Sequence, residues 1–236
     1  MQEKEKGHTQ RELIGGWVRM TLVFLLIYAT GLFLSAGRLV CPMAWAYLGL
    51  FALNQIVLGM LLLRIRPELM AARSAPDRER ARPWDRPLAG IASLFGPLTM
   101  LIVAGLDARF DLSPVLPPTL RFAAGGVAAL SYALGDWAMI VNEHFYGYVQ
   151  IDEEGHTVSS RGPYRVIRHP GYAGGVLFAL AAPLWLGSLW AFAPSALTIV
   201  ALVIRTALED RTLRDELKGY EAYAQQAPSR LVPGIW

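Results

Sequence analysis

Between two strongly apolar segments lies Arg161–Gly175, RGPYRVIRHPGYAGG, which gathers three arginines, a histidine, two tyrosines and two prolines. Such groups at the mouth of an apolar helix either solvate among lipid headgroups or hold a ligand, and a histidine beside arginine suits an anion. A second polar stretch, Arg205–Trp236, leaves the last apolar segment as RTALEDRTLRDELKGYEAYAQQAPSRLVPGIW. Arg205 and Glu209 are four residues apart and share a helix face, and Tyr220 and Tyr223 follow with amphipathic rings. Arg205 stands where the apolar residues end, so its charge acts in a low-dielectric mouth and not in bulk water. A basic loop that only fixes topology, followed by a solvated helix with one internal ion pair, accounts for the same residues without chemistry. The two readings part on whether both stretches lie on one side of a membrane.

The elements that must position these residues are apolar helices. Hydrophobic residues make up 54% of the 236-residue chain and charged residues 17%, which is poor in charge for a soluble domain. The net charge of +3, with no basic stripe interleaved with stacking aromatics, excludes a nucleic-acid partner. One cysteine, Cys41, excludes an internal disulfide and a cysteine-cluster metal site, and four scattered histidines argue against zinc, so no metal is expected. Apolar runs of membrane length predict spans over Trp17–Ser35, Pro42–Leu63, Leu88–Leu106 and Thr119–Val141. Residues 1–16 are polar and read as frayed or lying on the membrane surface. Arg64–Pro87 is arginine-rich and broken by four prolines, a surface loop with room for a short interfacial helix. Tyr172–Ile204 is too long for one span and carries Pro183, Gly187-Ser188 and Pro194, so it reads as a helical hairpin, with one long kinked helix as the alternative. The expected fold is therefore all-α: a polytopic membrane helical bundle of about six spans, with a short cytosolic C-terminal segment.

Orientation follows from the short loops. Arg64, Arg66, Arg73, Arg78, Arg80, Arg82 and Arg86 fall in one loop, joined on that side by Lys4, Lys6 and Arg11, whereas Arg38 and Arg109 stand opposite. The arginine-rich side is thus cytoplasmic, and six spans bring both polar stretches to it. A single final span would put them on opposite faces.

Together the two stretches resemble the isoprenylcysteine carboxyl methyltransferase family and its phospholipid N-methyltransferase relatives. The first is similar to G-P-Y-R-x-x-R-H-P-x-Y-x-G through Gly162, Pro163, Tyr164, Arg165, Arg168, His169, Pro170, Tyr172 and Gly174. The second resembles R-x-x-x-E-E-x-x-L, then Y-x-x-Y and R-x-x-P-x-x-W, through Arg205, Glu209, Asp210, Leu213, Tyr220, Tyr223, Arg230, Pro233 and Trp236. Asp210 departs from the second glutamate, keeping the charge with a shorter reach. Glu154–Val158, with His156, is similar to the family's lead-in, and the likeness runs over roughly Leu130–Trp236. It divides the chain into N-terminal membrane helices with their arginine-rich loop, 1–118, and a methyltransferase core, 119–236.

The resemblance implies S-adenosylmethionine as cofactor and a lipophilic acceptor drawn from the bilayer. The implied cofactor residues are His156, Tyr164, Arg168, His169, Pro170, Tyr172, Gly174, Asp210, Tyr220, Tyr223 and Arg230. Arg168, His169 and the backbone after Pro170 would take the cofactor's carboxylate at a helix N-terminus. Tyr164 or Tyr172 would face its sulfonium, and Leu231 and Trp236 would line an adenine slot. The catalytic pair is Arg205 and Glu209. For a carboxylate acceptor Arg205 holds it and Glu209 orients Arg205; for an amine or hydroxyl, Glu209 takes the proton. Asp136, inside the fourth span, is either functional or a helix-to-helix hydrogen bond, and His144 reads as a surface residue. Two other classes compete. A sterol-reductase-like oxidoreductase using NADPH shares an R-H-P-x-Y motif, but its His-Arg pair and cysteine are missing here. A non-catalytic scaffold would leave the clustered Arg, His and Glu without a ligand.

Overall fold

The computed structural model describes residues 9–75, 79–152 and 155–236; the expectations placed on Lys4, Lys6, His8, Pro76, Arg78 and Glu154 lie outside the described residues. Helices are the regular structure throughout, in the order α1 Gln10–Ala36, α2 Pro42–Ile65, α3 Pro67–Ser74, α4 Asp85–Phe110, α5 Pro118–Val141, α6 Pro170–Leu186, α7 Phe192–Glu216 and α8 Tyr220–Gln226. No strand occurs among the described residues. Five of the helices, α1, α2, α4, α5 and α7, are long and apolar enough to cross a membrane. The sixth, α6, has 17 residues, about 25 Å at the helical rise, slightly short of a full hydrocarbon core.

The local sequence explains the boundaries. Residues 10–16 are helical, against the expectation of a frayed start, because Thr9 and Glu12 form a reciprocal capping box. Prolines open α2, α3, α5 and α6 at the first turn, where a missing N–H costs nothing. The arginine-rich loop does contain a short helix, α3, and it is not merely superficial. Its Leu69 and Met70 pack with Leu13, Trp17, Leu58, Leu62 and Met139. Within α4 the backbone widens to a π-turn at Ile91–Phe95, and the Tyr28 hydroxyl donates to the Ser93 carbonyl there at 2.8 Å.

The expected hairpin is present. α6 ends on Gly187 in the left-handed region, φ 82°, a conformation open to glycine at little cost. Arg121 donates from Nε and Nη2 to the Trp185 and Leu186 carbonyls, each at 3.2 Å, and so caps the helix end. Buried Asp107 takes the Ser113 amide at 2.7 Å and the Ser188 hydroxyl, tying α4 to the hairpin turn. The hairpin returns the chain, so α6 begins and α7 ends at the same end of the bundle.

Aromatic and small residues fill the interior together. Tyr28, Phe33, Tyr47, Phe51 and Trp185 share one buried cluster with Ala104, Ala124, Ala128 and Ala182. Small residues let backbones approach, the usual device where lipid removes the hydrophobic drive between helices. The tightest functional case is Gly174 on α6, where an added Cβ would lie 2.8 Å from the Ser131 carbonyl of α5. Gly174→Ala should therefore lose about 1–3 kcal/mol of stability by overpacking, read by chemical unfolding in micelles. Gly126→Ala, facing open space, should lose none.

Candidate functional site

The end of the bundle where α6 starts and α7 finishes holds a cavity of ≈ 270 Å³. Nine of the thirteen sequence-selected residues line it: Arg205 and Glu209 from α7, His156, Tyr164, Arg168 and His169 from the connection, Tyr172 from α6, and Tyr220 and Tyr223 from α8. Both polar stretches thus meet at one place. His169 Nδ1 and Glu209 Oε1 stand 3.9 Å apart, and the Tyr172 hydroxyl donates to Glu209 Oε2. The stacked rings of His169 and Tyr172, 5.8 Å between centroids, complete the corner.

Four of the selected residues do not line this cavity. Asp210 is fully buried behind it and works as an anchor. It accepts from Arg168 Nε at 2.7 Å, Arg230 Nε at 2.9 Å, Arg214 Nε at 3.2 Å and the Tyr220 hydroxyl at 3.0 Å. Its side chain has 0% exposure against 24% for Glu209, so of the adjacent pair only Glu209 faces the cavity. Arg230 is spent on Asp210 and lies 5.1 Å over the Trp236 ring. Pro170 opens α6, and Gly174 faces the inner side of that helix. Leu231 and Trp236, expected to line an adenine slot, are not among the residues lining this cavity. Leu231 is packed with Ile167 and Ala173, and both its amide and that of Val232 donate to the Trp236 carbonyl.

The connection is held by the C-terminal segment. The Arg168 and His169 amides donate to the Ser229 and Arg230 carbonyls at 3.0 Å, and Arg168 Nη1 donates to the Ala227 and Pro228 carbonyls at 2.6 Å. The Tyr223 hydroxyl donates to the Tyr164 carbonyl at 2.8 Å. Burial raises the Tyr164 and Tyr220 hydroxyls, and lifts Tyr223 to about 12, so all three remain protonated at neutral pH.

Arg205 corrects an expectation most sharply. Its partner is not Glu209 but Asp85, the first residue of α4, with Nε–Oδ1 2.6 Å and Nη2–Oδ2 3.0 Å. Asp85 is fully buried, and its Oδ2 also takes the Val149 amide at 2.7 Å. The Arg205 guanidinium sits 5.1 Å over the Tyr172 ring, so that face is covered. The Nε–Nη2 edge is used by Asp85 and Nη2 also reaches the Gly147 carbonyl at 3.4 Å, so Arg205 holds the 142–152 connection over the cavity that it also lines.

Sequence reading missed Asp85 because it lay in a stretch that looked like a surface loop. It also placed His144 on the surface, whereas His144 lines the cavity with Phe145, Tyr146 and Tyr148. The histidines are not all scattered either. His144 and His156 stack at 3.9 Å, and with Asp152 their ligating atoms lie within 4.8 Å of one another. These atoms are engaged internally. His144 Nδ1 meets Asp152 at 3.1 Å, His144 Nε2 accepts from the Thr157 amide at 3.3 Å, and His156 Nδ1 accepts from the Asp152 amide at 3.2 Å. Asp136 stays outside this cavity; with Asn54, Gln55 and Arg73 it lines a second, inner chamber of ≈ 290 Å³.

Residues 120–218, less than half of the chain, match the family model described as phospholipid methyltransferase. No curated protein sequence gives a match. Among solved structures, the fold is similar to that of the eukaryotic intramembrane Ras methyltransferase ICMT, isoprenylcysteine carboxyl methyltransferase. That likeness has a TM-score of 0.60 at 18% identity and covers 93% of this chain and 77% of that one. The family match is confined to that segment, and the likeness to the solved structure is one of fold.

Two outcomes follow from the geometry. Asp85→Ala should cost about 3–5 kcal/mol, because it strands a buried guanidinium, and should expose the 142–152 connection to limited proteolysis. Burial, aided by nearby His144, pulls His156 down to about 4. Its unfolded value is about 6.5, so the unfolded chain takes the proton first. That contribution to stability is fully present above about pH 6.5 and is lost as pH falls toward 4. The slope of stability against pH over that window should flatten in His156→Asn.

Proposed function

We propose that this protein is an S-adenosylmethionine-dependent methyltransferase acting on the carboxylate of a lipophilic acceptor that enters from the bilayer, with its site on the cytoplasmic side. The observation that carries the reading is Glu209. Among the described residues lining the cavity it is the acidic one, and it is held by Tyr172 and faced by His169, so both polar stretches converge on one carboxylate.

The residues present fit the cofactor. A cationic sulfonium calls for a carboxylate and aromatic faces, and the lining offers Glu209 with Phe145, Tyr146, Tyr148, Tyr164 and Tyr220. Bound there, S-adenosylmethionine would supply an electrophilic methyl group. The chain's own part is alignment and exclusion of water. Tyr172 fixes the Glu209 carboxylate by its hydroxyl, and the Asp85–Arg205 clamp holds the 147–149 backbone over the cavity. A carboxylate acceptor already carries its nucleophilic charge and needs no general base. Arg205, bound along its Nε–Nη2 edge by Asp85, is assigned to positioning, and Glu209 to the cavity itself.

The cytoplasmic assignment is supported by the basic residues at this end, where Arg66, Arg80 and Arg82 pair with Glu143, Asp152 and Glu216. The division at residue 118 carries over as a division of labour. The core, 119–236, provides the polar corner, and the N-terminal part provides Asp85 as its clamp.

The test is calorimetry of the purified protein. S-adenosylhomocysteine should bind and NADPH should not; His169→Ala should weaken S-adenosylhomocysteine, and Glu209→Ala should weaken the sulfonium-bearing S-adenosylmethionine, each by tenfold or more, on the order of 1.4 kcal/mol, while both variants still insert in membranes. Binding of NADPH in its place would favour the sterol-reductase-like alternative, and binding of neither would leave the scaffold reading.

A further inference from the structure

Three arginines line the cofactor cavity: Arg73, Arg168 and Arg205. Two of them are neutralised by fully buried aspartates, Arg168 by Asp210 and Arg205 by Asp85. Arg73 is different. It forms no ion pair among the described residues, and its contacts are the Phe145 carbonyl, from Nη1 at 3.4 Å, and the Phe145 ring, 5.7 Å from the guanidinium carbon. It stands deep in the fold yet keeps accessible surface, as expected of a side chain that looks into a cavity.

Its position is a junction. Arg73, Ala92, Phe145, Gly171 and Leu202 line both the cofactor cavity and the inner chamber. The chamber runs on between Leu58, Met100, Met139 and Phe178, with Asn54, Gln55 and Asp136 as its polar groups. Burial and the nearby Arg205 lower Arg73 to about 10, with Asp136 and Tyr172 opposing, so it is a cation at neutral pH. Asp136 acts on it through space but forms no ion pair with it among the described residues; a buried cation without a contacting anion is costly, and the planar guanidinium fork matches a carboxylate.

We infer that Arg73 binds the carboxylate of the methyl acceptor, at the junction where the acceptor's apolar tail passes into the inner chamber. This rests on the methyl-transfer reading above and names an acceptor-binding residue besides Arg205, whose Nε–Nη2 edge is held by Asp85. The cofactor's own carboxylate is the other anion within reach. The acceptor is favoured because a residue on both cavities meets the molecule that occupies both. A lipophilic acid has one polar end and one apolar tail, whereas a nucleotide would have to desolvate against Leu58, Met100 and Phe178. Arg73 is a binding residue in this account, and the methyl group need not touch it.

The test compares acids with their uncharged esters on protein loaded with S-adenosylhomocysteine. The probe pairs are N-acetyl-S-farnesylcysteine with its methyl ester, and oleate with methyl oleate, each read by calorimetry in micelles. Wild type should prefer the acid in at least one pair by about ten- to a hundredfold. Arg73→Gln should bring that ratio to within about twofold and leave ester binding in place; Arg73→Lys should keep part of the preference. S-adenosylhomocysteine affinity should change by less than about threefold in both variants. Loss of S-adenosylhomocysteine binding in Arg73→Gln and Arg73→Lys, with thermal unfolding unchanged, would assign the guanidinium to the cofactor and overturn the inference. So would wild type with no acid preference in either pair, or Arg73→Gln with an undiminished one. Failure of wild type to bind S-adenosylhomocysteine at all would instead remove the methyl-transfer reading beneath it.

Discussion

A guanidinium and a carboxylate buried together at the end of a membrane helix bundle set the terms for this structure. Asp85 begins α4 and Arg205 lies four residues before Glu209 on α7, so their pairing joins the N-terminal helices to the polar corner. The Asp85 carboxylate takes two guanidinium hydrogen bonds and the Val149 amide, and the Arg205 fork reaches the Gly147 carbonyl at 3.4 Å. Desolvating two charges is costly, and the attraction repays it only where the remaining hydrogen-bonding positions are filled. Here the connection that covers the cavity supplies two of them, the Val149 amide to Asp85 and the Gly147 carbonyl to Arg205. The pair therefore does more than pin two helices: it fixes where the roof of the site must lie.

A second buried carboxylate does the same for the floor. Asp210 gathers Arg168, Arg214 and Arg230 with Tyr220, and through Arg168 it fastens the Pro170 end of α6 to the C-terminal segment. With both aspartates paired to arginine, Glu209 is, among the described residues, the acidic group facing the cavity, and Arg73 the lining guanidinium that forms no ion pair. Local neutralisation at the rim thus leaves one cation and one anion aimed at what enters. That is a simple electrostatic design for a ligand that carries both signs or for two ligands of opposite sign.

Much of this was legible in the sequence, and the limits have physical causes. The spans were readable because bilayer thickness demands a certain run of apolar residues, and the hairpin because Gly187 and Pro183 punctuate one run too long for a single crossing. Once the hairpin is granted, His169 and Glu209 must share a face, and they are 3.9 Å apart. Three things escaped. Arg205 and Glu209 have the spacing of an ion pair, but spacing cannot reveal a partner 120 residues away such as Asp85. Asp210 looked like a ligand residue because adjacency in sequence hides that neighbouring helical positions point in different directions. Arg73 was counted as one of seven loop arginines that fix topology, and nothing local marks it as the one carried inward by α3. The start of α1 could have been placed better, since Thr9-x-x-Glu12 is a capping signature in its own right.

A phospholipid methyltransferase family segment over residues 120–218 and a fold shared with a membrane methyltransferase support the proposed reading, in which one cavity gathers the polar residues of both stretches. Ultraviolet cross-linking of methyl-labelled S-adenosylmethionine, followed by mapping of the labelled peptide, tests that claim most directly. The account predicts label within Tyr164–Tyr172 or Glu209–Tyr223, competed away by S-adenosylhomocysteine. Competed label on peptides remote from the cavity, or no competed label on folded protein, would contradict it.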